Sequence, residues 1–195
     1  FQDLIRDKVK FNDTLIGDMV ISKNLRSPLF NFSNVVDDYE MKISHVIRGE
    51  DHLSNAPKQI LLQKALGFRE IKYAHLPLIL APDRSKLSKR YLETSLTDYK
   101  NQGYLAEAMV NFTAFLGWHP APEQSTARGK AHQEKEQSTV QGKASQAKEI
   151  FSLEELIKEF DLKRVQKAGA IFNIEKLEWL NSQYIKEMTP AKLAK

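Results

Sequence analysis

The sequence predicts a mixed α/β fold, in which part of a parallel-sheet domain is followed by a helical module. A strand–helix–strand pattern between residues 43 and 80 is typical of a βαβ unit and implies a parallel sheet. Apolar residues then recur at helical intervals after residue 95. Of the 195 residues, 42% are hydrophobic and 28% charged, which is typical of a folded globular chain.

Before residue 43 the chain predicts two short strands and one helix. Residues 8–11 alternate between polar and apolar side chains, and residues 18–22 contain a short apolar run. Both patterns are typical of short strands. Residues 30–41 carry four apolar side chains at helical spacing, so this segment is expected to be an α-helix. These side chains are Phe32, Val35, Val36 and Tyr39.

The βαβ unit comes next. Residues 43–47 form a β-rich run that leads into the residues RGED. A helix is predicted to begin near Asn55 and Pro57 and to end at Gly67, a residue type that often stops helices. Residues 75–80 contain the run LPLIL and predict a buried strand that ends before Pro82.

Helices dominate the rest of the chain. Ser95 or Thr97 is expected to cap a helix that continues to residue 102, and a second helix is predicted over residues 104–116. Ser152 and Glu155 have the spacing of a capping box, which predicts a helix over residues 153–160. A last amphipathic helix is predicted over residues 174–185.

A polar segment interrupts these helices. Residues 120–149 contain almost no large apolar side chains, and the unit EQSTARGKA returns 13 residues later as EQSTVQGKA. Two polar copies cannot bury a core, so a solenoid is excluded. We expect a disordered polar repeat insertion on the surface; a basic tether for RNA is the alternative.

Composition excludes several classes of site. The chain has no Cys, which rules out disulfides and thiolate zinc sites, and its five His residues do not have the spacing of metal ligands. No apolar stretch is long enough for a membrane span, so no membrane partner is expected. The net charge of +4 and pI near 9.1 permit a polyanionic partner. The first residue is not Met, and we expect a fragment or a processed form.

The basic segment APDRSKLSKR at residues 81–90 is the sharpest candidate site. It follows a predicted buried strand, and open α/β sheets bind ligands beyond the carboxyl ends of their strands. Lys86, Lys89 and Arg90 surround the small Ser88 and would neutralise a triphosphate and the charge that develops when it is attacked. The alternative is a solvated basic turn.

Arg48 is the second candidate. It ends a predicted buried strand, where an unpaired guanidinium is costly. A ligand carboxylate would satisfy it through two parallel hydrogen bonds. The alternative is an internal salt bridge to Asp37, Asp38 or Glu50.

Three segments carry a resemblance to a known family. They are SNVVDDYEMKISHVIRGEDHLSNAPKQILLQKALGF, YAHLPLILAPDRSKLSKR and TSLTDYKNQGYLAEAMVNFTAFLGW. In this order they resemble bacterial-type glutamyl-tRNA synthetase, a class I aminoacyl-tRNA synthetase. The resemblance implies ATP-dependent activation of L-glutamate to glutamyl adenylate and transfer to tRNA(Glu), with Mg²⁺ accompanying ATP, by a monomeric cytoplasmic enzyme. It also implies the C-terminal half of a Rossmann-like domain followed by an α-helical stem-contact module.

The resemblance assigns roles to individual residues. It implies that Lys86, Lys89 and Arg90 are catalytic. The implied ATP-binding residues are Asp51, Lys86, Leu87, Ser88 and Lys89. The implied glutamate-binding residues are Phe30, Asn34, Arg48 and His52. The chain departs from the family at Phe30, where a Tyr is usual, so a hydroxyl donor is absent there.

The resemblance also divides the chain. It implies the end of an acceptor-stem-binding insertion at residues 1–28, the Rossmann half at 29–91, the stem-contact module at 92–119 and 150–187, and the start of an anticodon-binding domain at 188–195. The first class I signature, His-x-Gly-His, does not occur in the sequence, so this fragment is expected to be inactive by itself. The alternatives are a non-catalytic tRNA-binding remnant and a glutaminyl or tRNA-modifying relative.

Overall fold

The structure, a computed structural model, describes residues 1–87, 95–121 and 148–189. Within these ranges six strands form two sheets. The strands are β1 (Gln2–Asp3), β2 (Asp7–Lys8), β3 (His45–Gly49), β4 (Lys72–Leu76), β5 (Ile79–Leu80) and β6 (Ala170–Ile171). The main sheet has the order β2-β1-β4-β3, and β5 pairs with β6 in the second.

Six α-helices accompany the sheets within the described ranges. They are α1 (Phe30–Glu40), α2 (Ala56–Ala65), α3 (Leu96–Asn101), α4 (Ala106–Ala114), α5 (Leu153–Glu159) and α6 (Ile174–Glu187). Short 3-10 turns lie at Asp13–Leu15, Glu50–Asn55 and Leu162–Arg164. None of the helices in these ranges has the length and apolar character needed to cross a membrane.

The predicted βαβ unit is confirmed. Strands β3 and β4 are parallel, and their register runs from His45 opposite Lys72 to Gly49 opposite Leu76, with α2 as the crossover. The strand begins two residues later than predicted because the end of α1 uses Ile43, whose N–H donates to the Asp38 carbonyl at 2.9 Å. At the end of α2, Gly67 adopts a φ of +67°, a conformation that favours glycine.

The single strand predicted over residues 75–80 is wrong. The structure has two strands there, β4 and β5, separated by the buried Pro77. Proline has no N–H to donate to a sheet ladder, so the run cannot continue as one strand. After the break, the Leu78 N–H donates to Glu50 Oε1 at 3.0 Å, and β5 pairs in parallel with β6 in the second sheet.

The two strands predicted near the N-terminus are largely wrong. Only Asp7–Lys8 is a strand, and residues 18–22 contribute one isolated bridge, between Ser22 and Pro28. Val20 and Ile21 are exposed, so the apolar run lies in a surface loop and not in a buried strand. Strand β1 was not expected; it pairs in parallel with β4 through Asp3 and Tyr73 and brings residues 1–8 into the main sheet.

The helical predictions are confirmed where the chain is described. The side chain of Ser95 accepts a hydrogen bond from the Asp98 N–H, and that of Ser152 accepts one from the Glu155 N–H, so both helices begin with a capping box. The repeat at residues 123–144 lies outside the described residues, as do Ser88, Lys89 and Arg90.

Two buried clusters hold the chain together. The first joins the main sheet to the helices and contains Ile5, Ala74, Trp118, Phe151, Leu156 and Val165. The second, between α3, α4 and α6, contains Tyr99, Phe112, Leu177 and Leu180. Because apolar burial is the main favourable contribution to folding, these clusters fix the helices against the sheet and leave the carboxyl ends of β3 and β4 to form a site.

Candidate amino-acid and nucleotide site

The candidate site lies at the carboxyl ends of the parallel strands β3 and β4. Arg48 and His75 are paired in the register of these strands, one residue before each strand ends. Open α/β sheets bind ligands at this edge. The 3-10 turn Glu50–Asn55 and the start of α2 follow β3 directly, so they add their side chains to the same edge.

Neutral groups hold the guanidinium of Arg48. Its Nη2 donates to Gln59 Oε1 at 2.8 Å and to the His52 carbonyl at 3.4 Å. Its Nε donates to His75 Nε2 at 3.3 Å. The guanidinium also lies 5.6 Å from the centre of the Tyr73 ring, within the range of a cation–π contact.

The internal salt bridge considered for Arg48 is wrong. No carboxylate of the described residues forms an ion pair with Arg48. Glu50 is paired with Arg6 instead, and Asp38 acts on Arg48 only through space. Burial lowers the pKa of Arg48 from its usual value, but a guanidinium stays protonated in proteins. Among the described residues, its positive charge therefore has no contacting anion.

The four residues assigned to glutamate binding come together. Gln59, which is 1% exposed, donates to Asn34 Oδ1 at 2.9 Å while its carbonyl accepts from Arg48. The Phe30 ring lies 5.5 Å from the ring of His52, whose carbonyl accepts from Arg48. The arrangement is a half-buried cation with polar groups on one side and an aromatic ring nearby.

A buried pair lies behind Arg48. Asp3 and His75 both have side chains with no exposure, and His75 Nδ1 lies 2.6 Å from Asp3 Oδ2. The other oxygen, Oδ1, accepts from the N–H groups of Ile5 at 2.9 Å, Arg6 at 2.8 Å and His75 at 3.2 Å. These groups satisfy a carboxylate that would otherwise be costly to bury.

The hydrogen-bond partners of His75 fix its tautomer, because Arg48 can only donate to Nε2, and the pKa shifts of the pair agree with the neutral ring. Burial alone would raise the pKa of Asp3, but its hydrogen bonds from Arg6, His75 and Ile5 outweigh burial and lower it. Burial lowers the pKa of His75, and the opposing effect of Asp3 is smaller. His75 is therefore neutral, with its proton on Nδ1 facing Asp3 and its Nε2 lone pair facing Arg48.

Those residues assigned to the nucleotide that the structure describes lie beside β5 or in the turn after β3. Residues 81–87 turn back on the strand, with the Leu87 N–H donating to the Ile79 carbonyl at 3.0 Å. Lys86 Nζ lies 3.4 Å from Asp51 Oδ2, and both side chains are exposed. Burial acts to raise the pKa of Asp51, but Lys86 outweighs it and lowers that pKa. Gly49 makes room for this carboxylate, since an added Cβ would lie 2.6 Å from Asp51 Oδ1.

Comparison with known proteins identifies the family. A sequence profile for the catalytic domain of tRNA synthetases class I (E and Q) matches residues 1–179. The chain belongs to the class I tRNA synthetases. The resemblance found in the sequence is thereby confirmed, and the mixed α/β content with parallel strands agrees with a class I catalytic domain.

Individual relatives of this class I chain are glutamate–tRNA ligases. Glutamate–tRNA ligase 2 of Caldanaerobacter subterraneus subsp. tengcongensis is 47% identical over 188 residues, which cover 96% of the chain and 34% of the relative. The ligase of Aquifex aeolicus is 48% identical over 190 residues, covering 97% and 35%. The chain therefore spans about a third of the length of these relatives.

Solved structures show the same family. The crystal structure of a glutamate tRNA ligase from Elizabethkingia meningosepticum, in complex with its amino acid, superimposes with a TM-score of 0.78 at 38% identity. The match covers 96% of the chain and 36% of that structure. A glutamate-tRNA synthetase from Elizabethkingia anophelis gives the same TM-score and identity.

Sequence reasoning missed three residues of the candidate site: Asp3, Gln59 and His75. A signal for Gln59 exists, because Gln59 and Gln63 are four residues apart and share the face of α2 that also carries Leu62. Polar residues on the apolar face of a helix point to a buried partner. Asp3 and His75 carry no comparable local signal, since their contact joins residues 72 apart.

Two further observations bound the site. A groove with a cavity volume of about 710 Å³ lies between β1 and α2, and none of the predicted site residues lines it. In residues 1–87, 95–121 and 148–189 no group of three or more His, Cys, Asp or Glu side chains is arranged to hold a metal ion.

Proposed function

We propose that the protein containing this chain is a glutamate–tRNA ligase that activates L-glutamate with ATP and transfers it to tRNA(Glu). The observation that carries the proposal is the positive charge of Arg48, which no described carboxylate contacts, among the residues assigned to glutamate. An uncompensated, half-buried guanidinium favours an anionic ligand group. The names of the relatives support glutamate as that ligand.

The first step needs positioning and charge stabilisation more than covalent help from the protein. The α-carboxylate oxygen of glutamate attacks the α-phosphorus of ATP, and the bond to pyrophosphate breaks. In the proposal Arg48 holds the side-chain carboxylate, with Phe30, Asn34 and His52 around it. Holding both reactants in attack geometry removes much of the entropic part of the barrier. The terminal ribose hydroxyl of tRNA then attacks the carbonyl carbon, and AMP leaves.

The nucleotide would lie over the loop after β5. Lys86, Lys89 and Arg90 would neutralise the phosphates and the charge that grows as pyrophosphate leaves. Asp51, Leu87 and Ser88 would line the rest of the nucleotide site. Magnesium would accompany ATP, but the described residues do not form a site for it, so no step is assigned to a protein-held metal.

The remaining parts of the chain would bind tRNA. We propose that residues 29–91 are the C-terminal half of the Rossmann-like domain, with the end of the acceptor-stem insertion before them. Residues 92–119 and 150–187 would form the helical stem-contact module. The net charge of +4 is compatible with a polyanionic partner. The enzyme would act as a monomer in the cytoplasm.

Aminoacylation of tRNA(Glu) by the full-length protein tests the proposal. Arg48→Ala should raise the glutamate KM by at least about tenfold, because a charge-assisted contact made throughout the reaction contributes about 1.5–3 kcal/mol to binding. The matched control is Arg69→Ala, since Arg69 is exposed and, among the described residues, donates only to the Ile43 carbonyl. Failure to charge glutamate, or an unchanged KM in Arg48→Ala, would contradict the proposal.

A further inference from the structure

We propose that Gln59 and His75 are positioning residues that make the Arg48 site select a negatively charged side chain over its neutral carboxamide. They do so by holding the guanidinium with neutral acceptors only. The inference rests on the proposed function, since it concerns how the same site distinguishes glutamate from glutamine. Neither residue touches the amino acid in this proposal; both act through Arg48.

The first step of the argument is the chemistry of the acceptors. Arg48 donates to an amide oxygen of Gln59, a backbone carbonyl of His52 and the ring nitrogen Nε2 of His75. A carboxylate in any of these places would form an ion pair and cancel much of the attraction for a ligand anion. Neutral acceptors fix the direction of the guanidinium and leave its charge to the ligand.

The second step is that the orientation of Gln59 is fixed. The Gln59 amide nitrogen donates to Asn34 Oδ1 at 2.9 Å and to Asn31 Oδ1 at 3.2 Å. Both partners are oxygens, so a rotated amide would face them with its own oxygen and face Arg48 with N–H groups. The carbonyl of Gln59 is therefore locked toward Arg48.

The third step is the position of the nearest buried anion. Asp3 is separated from Arg48 by the neutral ring of His75, which donates to Asp3 through Nδ1 and accepts from Arg48 through Nε2. The Asp3 carboxylate is satisfied by this ring and by three backbone N–H groups. It orients His75 without contacting the guanidinium.

The fourth step is the edge left for the ligand. The protein uses Nε and Nη2 of Arg48, whereas no residue in the described part of the chain accepts a hydrogen bond from Nη1. A planar guanidinium presents its donors in a fixed fork. The ligand carboxylate would therefore meet Arg48 at Nη1, the end opposite His75.

The test uses an isosteric charge swap in the full-length protein. Aminoacylation of tRNA(Glu) is measured with glutamate and with glutamine, and the ratio of their kcat/KM values is compared. Gln59→Glu places a carboxylate against Arg48, and we expect the ratio to fall by about tenfold or more, mainly through a higher glutamate KM. An unchanged ratio in a folded Gln59→Glu protein would overturn the inference.

Gln63→Glu is the matched control. Gln63 is buried on α2 one turn after Gln59, but it donates to the Tyr73 hydroxyl at 3.1 Å and does not contact Arg48. This variant adds the same buried charge to the same helix. It should keep the wild-type glutamate-to-glutamine ratio even if it lowers stability, and an equal fall in the ratio would count against a specific role for Gln59.

A second variant decides the matter if Gln59→Glu does not fold. Gln59→Leu removes the acceptor that directs the guanidinium and adds no charge, so the glutamate KM should rise and the ratio should fall by about threefold or more. A wild-type ratio in a folded Gln59→Leu protein would overturn the inference. If the wild-type protein charges tRNA with glutamate but the variants do not show the expected ratios, the proposed function is supported and the positioning role of Gln59 and His75 is wrong.

Discussion

Phe30 brings an apolar ring to the candidate glutamate pocket, at a position where the resemblance implies Tyr. Its ring is 53% exposed and lies beside His52. Phe30→Tyr adds a hydroxyl donor there, and we expect the glutamate KM to fall by about two- to tenfold, the effect of one added hydrogen bond. Steady-state aminoacylation measures it. Phe68→Tyr is the control, because Phe68 stacks on Tyr39 away from the site. An unchanged glutamate KM in Phe30→Tyr would contradict the assignment of Phe30 to the glutamate pocket.

The buried His75–Asp3 pair predicts that the protein loses stability in acid. The pKa of His75 lies below its ordinary 6.5, so the unfolded state binds the proton first and unfolding becomes easier as the pH falls below 6.5. The pKa of Asp3 lies below 3.8, and its contribution is lost as the pH falls from 3.8 through the native value. Denaturant unfolding across this range measures both effects.

A substitution separates the two parts of that pH dependence. His75→Gln should flatten the loss that begins below pH 6.5, because the group that titrates there is removed. His45→Gln is the control, since His45 is exposed on the neighbouring strand and its ring, within the described part of the chain, contacts only the Ser44 hydroxyl. Greater stability in wild type at pH 5 than at pH 7 would contradict the assignment of a neutral, buried His75.

Sequence reasoning finds the charged residues of this site more readily than the residues that orient them. Arg48 stands out because a guanidinium at the end of a buried strand needs a partner. The partner it finds in the chain is Gln59, an uncharged residue that looks ordinary in the sequence. His75 and Asp3 meet only because β1 pairs with β4, and a two-residue strand leaves no periodic pattern to predict it.

At the scale of elements, Asn111 ties α4 to the segment that enters α5. Its side chain has no exposure, its amide donates to the Glu149 carbonyl at 2.9 Å, and its oxygen accepts from the Phe151 N–H at 2.8 Å. Asn111→Ala leaves two backbone groups without these partners, and we expect a loss of about 2–4 kcal/mol in the free energy of unfolding. Urea denaturation measures it. Asn101→Ala, at an exposed position, should change stability by less than about 0.5 kcal/mol; equal losses would contradict the tethering role.

The elements that were predicted well are those whose signals are local. Ser95 and Ser152 predict where α3 and α5 begin, because all residues of a capping box lie within four positions of the sequence. Strands depend on partners elsewhere in the chain. The run at residues 75–80 looks continuous, but it splits at Pro77 because its second half pairs with residues 170–171.

For the whole molecule, we expect residues 121–148 of the polar segment to be dispensable for stability. Val140 is its one larger apolar side chain, and each halving of a flexible loop changes the closure entropy by only about 0.6 kcal/mol. Replacing it with a short Gly-Ser linker should leave the free energy of unfolding within about 1 kcal/mol of wild type. Phe151→Ala, in the first buried cluster, should cost about 3–5 kcal/mol and shows that the assay detects real losses. A loss of several kcal/mol with the linker would show that the segment packs against the rest.

The pairing of β5 with β6 also has a consequence for the order of folding. Its partners are roughly 90 residues apart, whereas β3, α2 and β4 are neighbours in sequence, so the local unit is expected to form first during synthesis. Leu78 and Leu80 gain their last hydrogen-bond donors, Ala170 and Phe172, only when that late pairing closes. The turn that carries Lys86 would then be the last to reach its final hydrogen bonding. Rapid hydrogen exchange at the Leu87 N–H, in a chain ended before residue 170, would show this late ordering. The turn at residues 81–87 would therefore reach its final form only after β6 has been synthesised.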